Sequence, residues 1–197
     1  MSGRRVVDLT QPLHEGTVLW PGSGPVRTEV VSEIERDGSY ARALHMPEHT
    51  GTHLDAPAHF VPDGATTDAI DADALVVPCA VLDVGERCED DPDFALEAGG
   101  IEELEGRRGA IEPGDAVLIA TGWDRFREDR ARYLGGEDEE SLRFPGLGAS
   151  GAELLVERGV VGVGIDTVST DAGRATEFPV HHMTLPAGLW QLEGWST

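Results

Sequence analysis

The stretch His49-Thr50-Gly51-Thr52-His53-Leu54-Asp55-Ala56-Pro57-Ala58-His59 gathers three of the chain's seven histidines and an aspartate into eleven residues. His49, His53, Asp55 and His59 share odd parity, so an extended chain would aim them at one face. Parity alone does not bring them together. Four extended residues span ~13 Å, whereas two donors each ~2.1 Å from one metal ion stand no more than ~4 Å apart. The chain therefore has to bend between His49 and His53. Gly51 supplies the permissive backbone for that bend, and the threonines beside it can bond local backbone groups. His53 and Asp55, two apart on one face, can converge directly. Pro57 opposes a helix through the whole motif and can start a short turn or helix carrying His59.

Imidazole nitrogens with a carboxylate and no thiolate form a donor mix suited to Zn²⁺ or Mn²⁺, with positions left open for water. An ion held this way lowers the pKa of water towards ~7 and polarises a carbonyl. A histidine close by but unliganded would then shuttle protons. His45 has the right parity but nothing else to recommend it, and His14 stands alone in a polar loop; both read as structural.

Outward from the motif, short β-branched runs bounded by Gly, Pro and Asp predict strands over 6–9, 26–31, 40–45, 75–84, 115–120 and 160–165. Helical periodicity predicts helices over 94–104 and 150–157, the second with Ser150 as N-cap and Glu153 three residues later. The early strands leave no room for helices between them, and the later ones alternate with helices. The expected fold class is therefore α/β of the mixed α+β kind: a central mixed β-sheet or small barrel flanked by helices, not a doubly wound Rossmann fold. Gly159-Val160-Val161-Gly162-Val163-Gly164 lacks the Lys-Ser/Thr of a phosphate loop and reads as a buried strand with close backbone packing. There is no repeat of about 20 to 50 residues and no low-complexity tract. With 197 residues, a single domain over 1–197 is expected.

Fifteen basic residues face 37 acidic ones, a net charge of -22, which argues against a phosphate-neutralising face and hence against nucleic acid as partner. All the basic residues are Arg, none is Lys, and Asn is absent. Such a bias fits a high-salt cytoplasm, where screening relieves like-charge repulsion, or a genome rich in Arg, Ala, Gly and Pro codons. No apolar run approaches the ~18 residues of a membrane span, and the basic N-terminus lacks the apolar stretch of a signal peptide, so a cytoplasmic protein is expected. Cys79 and Cys88, with no C-x-x-C spacing, read as reduced thiols. The acidic runs Glu137-Asp138-Glu139-Glu140 and 68–73 lack the pattern of a calcium loop and read as solvated surface.

The motif resembles the signature of the metal-dependent cyclase family, which includes bacterial kynurenine formamidases and isatin hydrolases. Its pattern H-x-G-T-H-x-D-x-P-x-H is met by His49, Gly51, Thr52, His53, Asp55, Pro57 and His59. Asp8-Leu9-Thr10-Gln11-Pro12-Leu13, Trp20-Pro21-Gly22, Thr121-Gly122-Trp123, Phe144-Pro145-Gly146 and Gly164-Ile165-Asp166-Thr167 resemble further family segments, so the likeness covers most of the chain. It implies a swivelling β/β/α fold, a homodimer or higher oligomer, and hydrolysis of an amide, formamide or lactam C–N bond in a small molecule. It also implies one or two divalent ions, Zn²⁺ first and Mn²⁺ as the alternative. By the same resemblance His49, His53 and Asp55 bind the first ion, and Asp55 bridges to a second held by His181 and Glu193, with His182 able to exchange with His181. His59 is then the general acid/base, and Trp20 lines the substrate pocket. Family members continue through further strands beyond that glutamate, whereas Thr197 follows Glu193 by four residues, so a sheet without those last strands is expected. Two rivals remain at this level: a related hydrolase or lactonase on another cyclic or ester substrate such as isatin, and a non-catalytic metal-binding protein.

Overall fold

In the computed structural model, which describes residues 5–196, the chain forms nine strands and six helices among the described residues. In chain order these are β1 (Arg27–Ser32), α1 (Ile34–Asp37), β2 (Ala41–His45), β3 (His53–Asp55), β4 (Cys79–Asp83), α2 (Gly85–Cys88), β5 (Ala95–Leu96) and α3 (Ala98–Arg108). There follow β6 (Ala116–Ala120), α4 (Arg130–Leu134), β7 (Gly146–Leu147), α5 (Ala149–Arg158), β8 (Gly162–Ile165), α6 (Pro179–Thr184) and β9 (Trp190–Glu193).

The central sheet has five strands in the order β3-β9-β8-β6-β4. β4, β6, β8 and β9 run parallel, each joined to the next by a segment carrying one or more helices, and β3 closes the edge antiparallel to β9. Parallel strands need such crossovers and bury both faces, which is why β6 and β8 read as continuous apolar runs. Val117, Ile119, Val163 and Ile165 are fully buried in one core with Ile101 and Leu104 of α3 and Ala152 and Leu155 of α5. A second apolar cluster joins Trp123, Phe126, Tyr133, Leu134, Leu142 and Phe144. β1 and β2 pair as a separate hairpin that leaves Val30, Val31, Ile34, Tyr40 and Leu44 exposed.

The mixed α/β architecture with a central mixed sheet is the one expected; the sheet is open, so the barrel alternative falls. Several local expectations are corrected. Residues 6–9 form no strand, although the Leu9 carbonyl accepts the Ser196 N–H at 2.8 Å. The strand expected over 75–84 is confined to Cys79–Asp83, because Pro78 has no N–H to give a ladder; Ala72–Leu75 is a 3-10 turn. The helix expected over 94–104 divides: Leu96 belongs to β5, and the helix starts at Ala98 with Ile101 and Leu104 on its buried face. Gly148, not Ser150, is the N-cap of α5, and the Ser150 hydroxyl donates to Glu97. The glycine-rich run forms β8 as expected, with Gly162 pressed against the Trp190 ring.

Candidate metal centre

The β3–β9 register builds one wall of the site. His53 lies opposite Glu193 and Asp55 opposite Gln191, and alternation puts all four side chains on one face. The bend required before His53 occurs at Gly51, whose φ is +65°. A second turn backs onto it at Gly194, φ +64°, where a Cβ would stand 2.6 Å from the Gly51 carbonyl oxygen. Both positions therefore need glycine. Thr52 Oγ1 and Gln11 Nε2 both donate to the Gly194 carbonyl, at 2.7 and 2.8 Å, which ties the N-terminal segment to this joint. Thr50 bonds locally, to the Pro47 carbonyl at 2.7 Å. Pro57–His59 is a 3-10 turn with Pro57 in its first position, and it returns His59 to the cluster.

The donor atoms converge on Asp55, which is only 2% exposed. His49 Nδ1 stands 2.8 Å and His53 Nε2 3.2 Å from Oδ1; His181 Nε2 stands 3.7 Å and His59 Nε2 3.9 Å from Oδ2. Glu193 lies 3.6 Å from His53 Nε2 and 3.5 Å from His181 Nε2, and the His49 and His53 nitrogens are 3.2 Å apart. All these spacings meet the ~4 Å limit for two ligands of one ion. Two groups, His49 with Asp55 and His59, and His53 with Asp55 and Glu193, each bring one ligand atom per residue within 4.8 Å of one another, sharing Asp55. Despite these neighbours, both Asp55 oxygens are buried and accept no hydrogen bond. A buried carboxylate left in this way is costly, and a cation satisfies it. The residues fit a divalent metal.

Hydrogen bonds behind the candidate ligands aim them. His53 directs Nδ1 at the Gly51 carbonyl, 3.1 Å away, which leaves Nε2 for the cluster. His181 directs Nδ1 at Asp171 Oδ2, 2.6 Å away, and Asp171 also accepts the backbone N–H groups of Val180 and His181. Thr170 N–H donates to Glu193 Oε1 at 2.8 Å, and the Thr170 hydroxyl donates to buried Gln191. Asp171 and Thr170 escaped the sequence reading because no motif spacing announces them. Glu193, at 4% exposed, is a buried member of the sheet and not a surface carboxylate. His182 does not share the position of His181: its ring packs on Phe60, 4.9 Å between centroids.

Charge follows geometry. Burial works to raise the Asp55 pKa, but His181, His49 and His53 outweigh it and hold the group well below the usual carboxylate range. Burial works to lower the His181 pKa, and Asp171, Asp55 and Glu193 overcome it, holding the imidazole up at about 11 in the metal-free protein. His59 goes the other way. Burial pushes it down to about 4, with His49, His181 and His53 adding to the effect against Asp55.

Beside this cluster lies a cavity of about 210 Å³ whose lining includes His49, His59, His181 and Glu193 together with Trp20, Phe60, Val168 and Phe178. Phe178 precedes Pro179 and holds a left-handed backbone, φ +49°, a strain of order 1–3 kcal/mol for a residue of this bulk. Its ring sits 5.8 Å from Trp20 and 5.9 Å from His181.

The structure thus brings together His49, His53, Asp55, His59, His181 and Glu193 around one point, with Trp20 in the lining of the adjoining cavity. A model of the family described as putative cyclase matches residues 7–172. The chain belongs to the putative cyclase family. Among its relatives, the kynurenine formamidase of Bacillus cereus is 32% identical over 188 residues, covering 95% of this chain and 80% of that protein. The isatin hydrolase of Roseibium aggregatum is 34% identical over 169 residues, covering 80% of this chain and 64% of that protein. The crystal structure of an isatin hydrolase bound to the product analogue thioisatinate superposes with a TM-score of 0.90 at 31% identity, over 97% of this chain and 79% of the other. The cyclase-family segments at Thr121-Gly122-Trp123 and Gly164-Ile165-Asp166-Thr167 meet at a structural joint, where buried Asp166 accepts the Thr121 N–H and hydroxyl and the Trp123 N–H.

Proposed function

We propose that this cyclase-family chain is a metal-dependent hydrolase that opens a C–N bond in a small planar aromatic amide, formamide or lactam. The observation that carries the reading is the buried Asp55 carboxylate, faced by four imidazole nitrogens at 2.8 to 3.9 Å in a cluster of ligand atoms beside an aromatic cavity. The relatives named kynurenine formamidase and isatin hydrolase support this choice of bond. His49, His53, Asp55, His181 and Glu193 would hold one or two ions, and the nitrogen and oxygen donor set favours Zn²⁺, with Mn²⁺ as the alternative. A divalent ion there supplies Lewis acidity to a water and to a carbonyl oxygen.

His59 carries the proton. Its Nε2 is the farthest from Asp55 of the four imidazole nitrogens that face it, at 3.9 Å, it lines the cavity, and its lowered pKa keeps it a neutral base near pH 7. It accepts a proton from the water that adds to the carbonyl carbon and returns one to the nitrogen as the C–N bond breaks, leaving a carboxylate and an amine. Phe60, Phe178 and Trp20 pack against a planar ring and exclude water from it. The cavity beside the ligands also favours an enzyme over a protein whose coordination shell is filled by its own side chains.

Purified, metal-loaded protein is expected to hydrolyse N-formylkynurenine or isatin, and His59→Ala to keep its metal while turnover drops about 10²- to 10⁴-fold. Equal turnover by His59→Ala and the parent would overturn the assigned role. The 0.90 superposition on isatin hydrolase favours isatin as the second substrate to assay; inactivity on both would move the reading to another cyclic or ester substrate. We also propose a single domain and a homo-oligomer. The exposed Val30, Val31, Ile34, Tyr40 and Leu44 of the hairpin support the latter, and light scattering at a mass above one chain would bear it out.

A further inference from the structure

Glu139 sits in the acidic run 137–140, which the sequence reading assigns to solvent, yet its Oε1 accepts the indole N–H of Trp20 at 2.8 Å. The turn that carries Glu139 is built, not loose. Asp138 Oδ1 accepts the Ser141 N–H at 3.0 Å, and Ser141 Oγ accepts the Asp138 N–H at 3.2 Å, a reciprocal cap. Gly136 approaches Ser141 so closely that a Cβ would stand 2.3 Å from its carbonyl oxygen. Leu142 and Phe144, which follow the turn, are buried in the second apolar cluster.

On its other side the indole leans on Phe144 and Phe178, with centroids 6.4 and 5.8 Å away. The strand of chain behind it is tied by Arg130, which donates to the Leu19 carbonyl at 2.9 Å. An indole has one donor and no acceptor. The partner of that N–H therefore decides which edge of Trp20 faces the cavity.

We propose that Glu139 is a positioning residue that orients the Trp20 wall of the cavity for an aromatic ligand. This rests on reading the cavity as the substrate pocket. Glu139 does not line the cavity; it acts through the indole. Its loss frees the ring to turn, which weakens ligand binding and leaves the reacting atoms untouched.

The test uses metal-loaded full-length protein as parent, Glu139→Ala, Glu139→Gln, Glu140→Ala and Trp20→Phe. It measures kinetics on N-formylkynurenine and isatin, and the Trp20 indole N–H resonance in ¹⁵N-labelled protein, assigned by its loss in Trp20→Phe. Glu139→Ala is expected to shift that resonance and raise KM about two- to tenfold, the range of a single hydrogen bond, with kcat kept. Glu139→Gln, whose carboxamide oxygen can accept the same bond, is expected to restore both, and Glu140→Ala to match the parent. In the Trp20→Phe background Glu139→Ala is expected to add nothing. An unmoved resonance in Glu139→Ala, a KM shift that persists without Trp20, or an equal shift in Glu140→Ala would overturn the proposal. Should the parent turn over neither substrate, the pocket reading fails by itself, and the resonance still decides whether Glu139 holds Trp20.

Discussion

Asp55 is the residue on which the account turns, because it is buried, ionised and without a hydrogen bond while four histidines face it. In the metal-free protein the imidazolium of His181 compensates part of that charge, its pKa held up at about 11 by Asp171, Asp55 and Glu193 against burial. A metal ligand must be neutral imidazole, so metal uptake displaces that proton and lower pH opposes it. Titration calorimetry in buffers of different ionisation enthalpy is expected to register proton release on metal binding, and affinity is expected to fall as pH falls. Asp171→Asn keeps an acceptor for the backbone N–H groups but removes the charge behind His181, and is expected to weaken metal affinity about 10- to 100-fold without unfolding the chain. Unchanged affinity would remove Asp171 from the site. The cluster was legible in part: His49, His53, Asp55 and His59 lie within one bendable stretch, whereas only the family resemblance pointed to His181 and Glu193. Asp171 was not legible, because only the turn from β8 into α6 brings it behind His181.

The antiparallel pairing of β3 with β9 explains why the site needs residues 140 positions apart: His53 and Glu193 are direct partners across the ladder. Neither strand was expected, because three- and four-residue strands carry too little alternation to be recognised. β6 and β8 were foreseen because parallel, doubly buried strands are uninterrupted apolar runs. Glycine in β8 marks contact with the neighbouring strand. At Gly162 a Cβ would stand 2.1 Å from the Trp190 ring, and that ring is itself tethered through Nε1 to the Ala74 carbonyl at 3.0 Å. Gly162→Ala is expected to destabilise the fold by about 1–3 kcal/mol, read as a lowered midpoint in denaturant at unchanged slope. A midpoint equal to the parent's would mean that β9 can shift freely against β8.

At the scale of the molecule, the net charge of -22 divides between a few buried acids at the site and many on the surface. Self-repulsion among the surface acids opposes the compact state, whereas exposed pairs such as Arg107 with Glu103 return only about 0–1 kcal/mol each. Repulsion is the larger effect, so the thermal midpoint is expected to rise with sodium chloride from about 0.01 to 1 M, as the screening length falls from ~30 to ~3 Å. A midpoint that falls with salt would show that the ion pairs dominate. Charge alone says nothing of the chemistry, and the acidic run at 137–140 shows how surface and site can overlap, since Glu139 reaches Trp20. On the proposed function, Asp55 is the hub of a divalent metal centre and His59 its proton carrier. Metal content per chain, measured by mass spectrometry on dialysed parent, Asp55→Ala and His59→Ala proteins, tests it most directly. One or two ions per chain are expected in the parent and in His59→Ala, and none in Asp55→Ala; equal metal in Asp55→Ala and the parent would contradict the account.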